Sequence, residues 1–225
     1  MNLSRQRETE NKETTMRHRN SSRLGSTAAV VAVLGGLWVW PAISSAQLPP
    51  LPVPSTGTLF GTTVVLANTG TLVAGTSDVL QASDTTGGIA SLLTGETLHA
   101  VTIGYPDQID SEASLAALAL NVAGTSIGAD FVMSRATATA SSAAGVSNID
   151  GLAINGVPIW VSGAPNQTIG IPGGLLVLNE QQSLPDGTLV VNALHAIVSG
   201  VADVAVASAM AGLSGGSAKA VQASY

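Results

Sequence analysis

Leu175-Leu176-Val177-Leu178-Asn179-Glu180-Gln181-Gln182-Ser183-Leu184-Pro185-Asp186-Gly187-Thr188-Leu189-Val190-Val191-Asn192-Ala193-Leu194-His195 holds two apolar runs on either side of Leu184–Thr188. Pro185 fixes φ early in that turn and Gly187 closes it. A hairpin with Leu184 opposite Thr188 sets Glu180 against Asn192 and Val177 against His195. Polar side chains facing one another across two strands can hydrogen-bond. Asn179, Glu180, Asn192 and His195 are therefore the candidate polar ladder. A solvent-facing polar stripe remains the alternative reading of the same residues.

The same punctuation recurs along the chain. Short runs of apolar and small residues break at Gly, Asn or Asp every eight to twelve residues, which is the spacing of an all-β sandwich or barrel. The reading predicts strands near 58–67, 96–104, 114–123, 127–141, 149–154, 157–162, 174–183, 188–198 and 202–209. They make a single-domain, antiparallel β-sandwich over 58–210. Asn155-Gly156 tolerates the positive φ of a type I′ hairpin turn. Pro158 has no N–H to donate, which puts 157–162 at a sheet edge or a bulge. Asp110–Leu120 carries helix-forming Ala and Leu, yet Leu118, Leu120 and Val122 alternate at period two, so it is read as strand. The Gly-, Ser- and Thr-rich segment 75–95 is expected to be irregular. Residues 211–225 are expected to be a flexible tail.

Six of the eight Lys and Arg residues lie before residue 24. An apolar stretch, Thr27–Trp40, follows them and ends in Ile43-Ser44-Ser45-Ala46. That layout is a secretory signal peptide with cleavage after Ala46, and Met16 is a second possible start. The apolar stretch is short of the roughly 20 residues of a spanning helix. No Arg-Arg pair precedes it, so the general secretion route is expected, with an extracellular or cell-surface destination and no membrane span in the mature chain. Residues 47–57, beginning Gln47-Leu48-Pro49-Pro50-Leu51-Pro52, are an extended Pro-rich linker.

After Ala46 the chain has eleven Asp and Glu against only Arg135 and Lys219. A surface so poor in cations cannot neutralise a phosphate backbone or dock on anionic lipid, which excludes nucleic acid as a partner. There is no cysteine, so no disulfide staples the domain. Phe60, Tyr105, Phe131, Trp160 and Tyr225 are the remaining aromatics. The core must come from Val, Ile, Leu and Ala.

Motifs for chemistry are thin. Gly-x-Ser-x-Gly occurs around Ser126 and Ser214, but neither lies on the strand-to-helix turn a nucleophile elbow needs. His99 and His195 have no metal-ligand spacing around them. Asp107, Asp110 and Glu112 are weak candidates for calcium, without the glycine of a tight calcium loop. No catalytic residue, cofactor or resident metal is expected.

The order Asn155-Gly156-Val157-Pro158-Ile159, Pro165-Asn166, Leu178-Asn179-Glu180-Gln181, Val191-Asn192-Ala193-Leu194-His195, Ala202-Asp203-Val204 and Ala207-Ser208-Ala209 resembles the choice-of-anchor P family over roughly 58–212. Members are bacterial exported proteins that share one domain of uncharacterised role and differ in how they attach to the surface. The resemblance implies an extracellular β-rich domain and carries over no catalytic residue. Members often have cysteines around the segment matching Ala136–Ser142 and a terminal anchor. This sequence has neither, so release or non-covalent association is expected.

The resulting expectation is a secreted or cell-surface-associated, non-enzymatic β-domain with a structural, adhesive or self-associating role and no identified partner. Arg135–Ala140 would offer a flat edge for self-pairing. The alternatives are an extracellular serine hydrolase using Ser126 or Ser214 with His195 and Asp203, and a calcium-dependent binding module.

Overall fold

The structure, a computed structural model, describes residues 63–224. The expected signal peptide with its cleavage at Ala46 and the expected linker lie outside them. Among the described residues there is no helix. The strands are β1 (Thr63–Asn68), β2 (Val79–Ile89), β3 (Leu93–Gly104), β4 (Gln108–Val122), β5 (Thr125–Thr139), β6 (Ala143–Asp150), β7 (Ala153–Ile154), β8 (Val157–Pro158), β9 (Gln167–Ile171), β10 (Gly174–Ser183), β11 (Leu189–Val198), β12 (Ala202–Gly212) and β13 (Gly215–Ser224). They form two antiparallel sheets packed as a sandwich. One runs β1-β13-β12-β11-β10-β9; the other runs β2-β3-β4-β5-β7-β8, with β6 also on β5.

The turns follow their residues. Asn155 and Gly156 take φ of 51° and 78° between β7 and β8, and Ala123 and Gly124 take 49° and 76° between β4 and β5. Leu184 donates its N–H to the Thr188 carbonyl at 2.8 Å, Gly187 sits at φ 82°, and Asp186 Oδ1 accepts from the Thr188 N–H at 3.0 Å. Pro158 lies on an edge strand, opposite Ala153, but that strand ends there, and 159–162, expected to continue it, lie outside any strand. Leucine, isoleucine, valine and alanine fill the space between the sheets, with Leu98, Leu115, Leu120, Leu176, Leu178 and Leu194 all inaccessible.

Three expectations need correction. Segment 75–95 contains β2, an edge strand whose central stretch, Ser83–Thr86, is polar and exposed throughout, so its apolar alternation breaks off there. Gly88 is there because a Cβ would come within 2.7 Å of the Leu93 carbonyl oxygen. The expected tail holds β13, which pairs with both β12 and β1. Its Gly and Ala look like loop composition, yet they are required by close packing. A Cβ on Gly216 would lie 2.7 Å from Ser111 Oγ and 2.9 Å from the Met210 carbonyl oxygen. Arg135–Ala140 offers no free edge, because β5 has β4 on one side and β6 on the other.

A run of backbone kinks positions the site. Ala67, Thr97, Ala117, Asn179 and Ala207 lie within strands at φ between 45° and 50°. A left-handed residue interrupts the pleat, so the side of the sheet that each residue faces changes there. β12 buries Val204 and Val206 before Ala207, then Ala209 and Ala211 after it. In the six-stranded sheet these kinks fall on one transverse line. The flanking pairs Leu66↔Val221 and Asn68↔Lys219, Val206↔Val221 and Ser208↔Lys219, Leu194↔Val206 and Asn192↔Ser208, and Leu178↔Leu194 and Glu180↔Asn192 align Ala67, Ala220, Ala207, Ala193 and Asn179. Ala193 and Ala220 lie on that line without a positive φ of their own, and Asn192 and His195, on either side of Ala193, line the same cleft although they are three residues apart.

Candidate functional site

The hairpin β10–β11 pairs Glu180 with Asn192 and Val177 with His195. Antiparallel register extends the first pair into a row across the sheet: Glu180, Asn192, Ser208, Lys219 and Asn68. An acid, an amide, a hydroxyl, an ammonium and a second amide therefore stand on successive strands about 4.8 Å apart. On the far side of the kink, His195 pairs with Ala205, and Ala205 with Gln222.

Glu180 joins the two rows. Its Oε2 accepts from Asn192 Nδ2 at 2.6 Å and from His195 Nδ1 at 2.8 Å. His195 Nε2 donates to Asp203 Oδ1 at 2.8 Å. Both partners of the imidazole are carboxylates, which only accept, so both ring nitrogens carry hydrogen. His195 is 6% exposed. Burial opposes its charge, but the hydrogen bonds to Asp203 and Glu180 and their negative charges outweigh it and raise the pKa to about 9. Burial likewise pushes Glu180 upward, and the hydrogen bond and charge of His195, with the bond from Asn192, bring it below the usual carboxylate range. At neutral pH the group is an imidazolium clamped between two carboxylates.

These residues line a cleft of about 840 Å³ on the outer face, to which Leu184, Pro185, Asp186 and Ser214 also contribute. Its walls include Val190, Ile197 and Met210, and no aromatic side chain among the described residues. Lys219 donates to Gln222 Oε1 at 3.0 Å, and burial alone lowers its pKa. None of the ion pairs among the described residues involves it. Asn192 is 9% exposed, and its buried Oδ1 has no hydrogen-bond partner among the described residues. The Glu180 carboxylate demands the amide's NH₂, which turns Oδ1 away with nothing to accept from.

The other candidates are dispersed. Asn179 belongs to the kink and not to the ladder, since its positive φ turns the side chain off the outer row. Its Nδ2 donates to the Gly163 carbonyl at 2.9 Å and its Oδ1 accepts from Gln181 Nε2 at 3.0 Å. Ser126 is exposed on β5 in the other sheet, opposite Asn121. Ser214 follows Gly212, whereas His195 pairs with Ala205. The strand from Ala205 to Gly212, seven residue steps, spans roughly 23 Å. His195 and Asp203 therefore meet each other but neither serine. The calcium candidates separate too: Glu112 pairs with Arg135 at 2.8 Å, and Asp110 accepts from Thr137 Oγ1 at 2.7 Å and Gln108 Nε2 at 2.9 Å. Asp107 lies in the β3–β4 turn, and no three acidic or histidine side chains among the described residues converge as metal ligands.

Ser208 and Lys219 are the members of the site that the sequence does not announce. Register supplies Ser208 once β12 is paired on β11; Lys219 lies in the segment whose composition reads as a tail. Comparison with protein-family models, curated proteins and solved structures finds no match for this chain.

Proposed function

We propose that this chain is a secreted or cell-surface-associated, non-enzymatic β-domain that works by holding a partner against the outer face of its six-stranded sheet. The observation that carries the reading is the row Glu180–Asn192–Ser208–Lys219 along a cleft of about 840 Å³, in which Lys219 has no carboxylate partner among the described residues. An anionic group of a partner that reaches Lys219 gains a partly desolvated ion pair. The imidazole supports binding over catalysis, because both of its nitrogens are committed to carboxylates. Export is supported by the leader pattern before Gln47, and by the resemblance to the choice-of-anchor P family.

Cell fractionation with N-terminal sequencing tests the reading. The exported chain is expected to begin at Gln47 and to sediment with the cell envelope. A folded Asn192→Val/Lys219→Met variant is expected in the medium. An unprocessed cytoplasmic chain would overturn export; equal envelope association of the two proteins would overturn the role of this face.

A further inference from the structure

We propose that Trp160 anchors a second binding site, and that its occupant is the segment Pro50-Leu51-Pro52-Val53-Pro54 of another copy of this chain. The site is separate from the cleft and does not rest on it.

Trp160 is 78% exposed, the most exposed of the large apolar side chains among the described residues. It sits in the loop 159–166, which leaves β8 in one sheet and enters β9 at the edge of the other. The loop is tied down on both sides of the indole. Ile159 and Val161 pack against the core. Gln167 Nε2 donates to the Trp160 carbonyl at 2.8 Å, while its Oε1 accepts from the Ser162 N–H and hydroxyl, both at 2.7 Å. Asn179, the kink residue of β10, donates to the Gly163 carbonyl at 2.9 Å. A large aromatic held out into water on a fixed backbone suits a binding anchor, because little freedom is left to lose on contact.

Charge and chemistry narrow the occupant. No charged residue or histidine lies between Asp150 and Glu180, so the loop and its sequence neighbours are neutral. Gln47–Ser77 is neutral too, although the chain after Ala46 carries eleven acids against two cations. Copies so acidic repel one another, and the approach that costs least brings a neutral segment of one to a neutral segment of the other. Prolines at 50, 52 and 54 favour the polyproline II form, which has little conformational entropy to lose and docks against aromatic faces. A sugar on the indole would want polar partners beside it, and the amide that reaches Trp160, Gln167, already commits both its oxygen and its nitrogen to the loop.

Reach selects a second copy over the chain's own segment. β1, which the segment precedes, and β9, which the loop enters, lie at opposite edges of the six-stranded sheet, five strand spacings or roughly 24 Å apart. The residues from Pro54 to Thr63, with Gly57 and Gly61 among them, have a root-mean-square span of only about 15–18 Å. Entry at one edge and the anchor at the other make the contact head-to-tail, so copies add in a row.

The test uses the full-length chain with Trp38→Phe and Trp40→Phe, which leaves Trp160 as its sole tryptophan. Sedimentation velocity and Trp160 emission are followed as concentration rises. Association with a blue shift is expected. Pro50→Ser/Pro52→Ser/Pro54→Ser, all N-terminal to β1, is expected to weaken association at least about tenfold, the scale of a lost aromatic contact, and to leave the emission red. Mixing identifies the copy. In this background Trp160→Ala has no tryptophan but keeps its prolines, so adding it to the proline variant is expected to restore the blue shift. A parent chain that stays monomeric, with emission independent of concentration, overturns the proposal, as does association that survives the proline changes. A blue shift in the parent that the mixture fails to restore overturns the second copy in favour of the chain's own segment. An equal shift of parent and proline variant on phosphatidylcholine vesicles, without association in solution, overturns the peptide in favour of lipid.

Discussion

The clamped imidazolium makes stability depend on pH in a definite direction. In the unfolded chain His195 titrates near 6.5, and in the folded chain near 9. The folded state therefore holds the proton more tightly, and between those values unfolding releases it. The stabilisation is fully present below pH 6.5 and is lost as pH rises through about 9. Each pH unit between the two values is worth about 1.4 kcal/mol, so the loss amounts to about 3 kcal/mol, or a fall in Tm of about 10 °C for a chain of this size. Glu180 titrates on the acid side, where its lowered pKa removes stability only as pH falls below 4.5. Lys219 opposes His195: burial lowers its folded pKa, so its contribution rises with pH towards 10.5, and the Lys219→Met background removes it. Urea unfolding from pH 6 to pH 9.5, followed by far-ultraviolet circular dichroism, measures the slope. Trp160 is already 78% exposed and would report little by fluorescence. In that Lys219→Met background His195→Gln, which keeps a hydrogen-bonding side chain but cannot titrate, is expected to give a flat curve over that range. A flat curve for the Lys219→Met protein, or the same slope once His195→Gln is added, would refute the clamp.

Asn192→Val removes the charge-assisted bond to Glu180 and also the unmet Oδ1, so a net loss of about 1–2 kcal/mol is expected, read as a Tm drop of about 3–6 °C. A silent substitution would mean that the row is merely a wetted stripe. Ala117 is exposed at φ 48°, so Ala117→Gly is expected to stabilise by up to about 1 kcal/mol, whereas Ala119→Gly, two residues on without the positive φ, should cost about 0.5–1 kcal/mol. Chemical denaturation of the pair tests the kink through opposite signs. At Gly174 a Cβ would collide with the Ile197 carbonyl oxygen and lie 2.8 Å from Val198 Cα. Gly174→Ala is accordingly expected to lose at least about 2 kcal/mol by the same assay, and a neutral effect would contradict the β10–β11 approach.

The hairpin at the heart of the site is legible because its turn is set by Pro185, Asp186 and Gly187, and a turn determines register. Glu180↔Asn192 and Val177↔His195 follow from that register alone. Asp203 and Ser208 require knowing that β12 lies on β11, a pairing that turn chemistry at Gly200 suggests but residue types do not. Lys219 is hidden for a different reason. β13 is written in Gly, Ser and Ala, which in isolation reads as unstructured chain, and only the tight approach at Gly216 explains the choice. The kink is not legible. Ala67, Ala117 and Ala207 carry no mark of positive φ, and its trace in sequence is a break in alternation, such as Val206-Ala207 beside Ala209, that a rich alanine background conceals. Asn179 is the one kink residue of a type that tolerates that conformation, yet its neighbours Glu180 and Asn192 make it read as a ladder member instead.

Lys219 allows the most direct test of the claim that the outer face is the working surface. Lys12 and Lys219 are the chain's two lysines, so in a chain processed after Ala46, as proposed, acetylation reports on Lys219 and the N-terminal amine alone. Acetylation rates measured by mass spectrometry, free in solution and bound to envelope from producing cells, compare the two states. Lys219 is expected to be protected at least tenfold in the bound protein, with the N-terminal amine unaffected. An unchanged Lys219 rate on envelope-bound protein would contradict that claim.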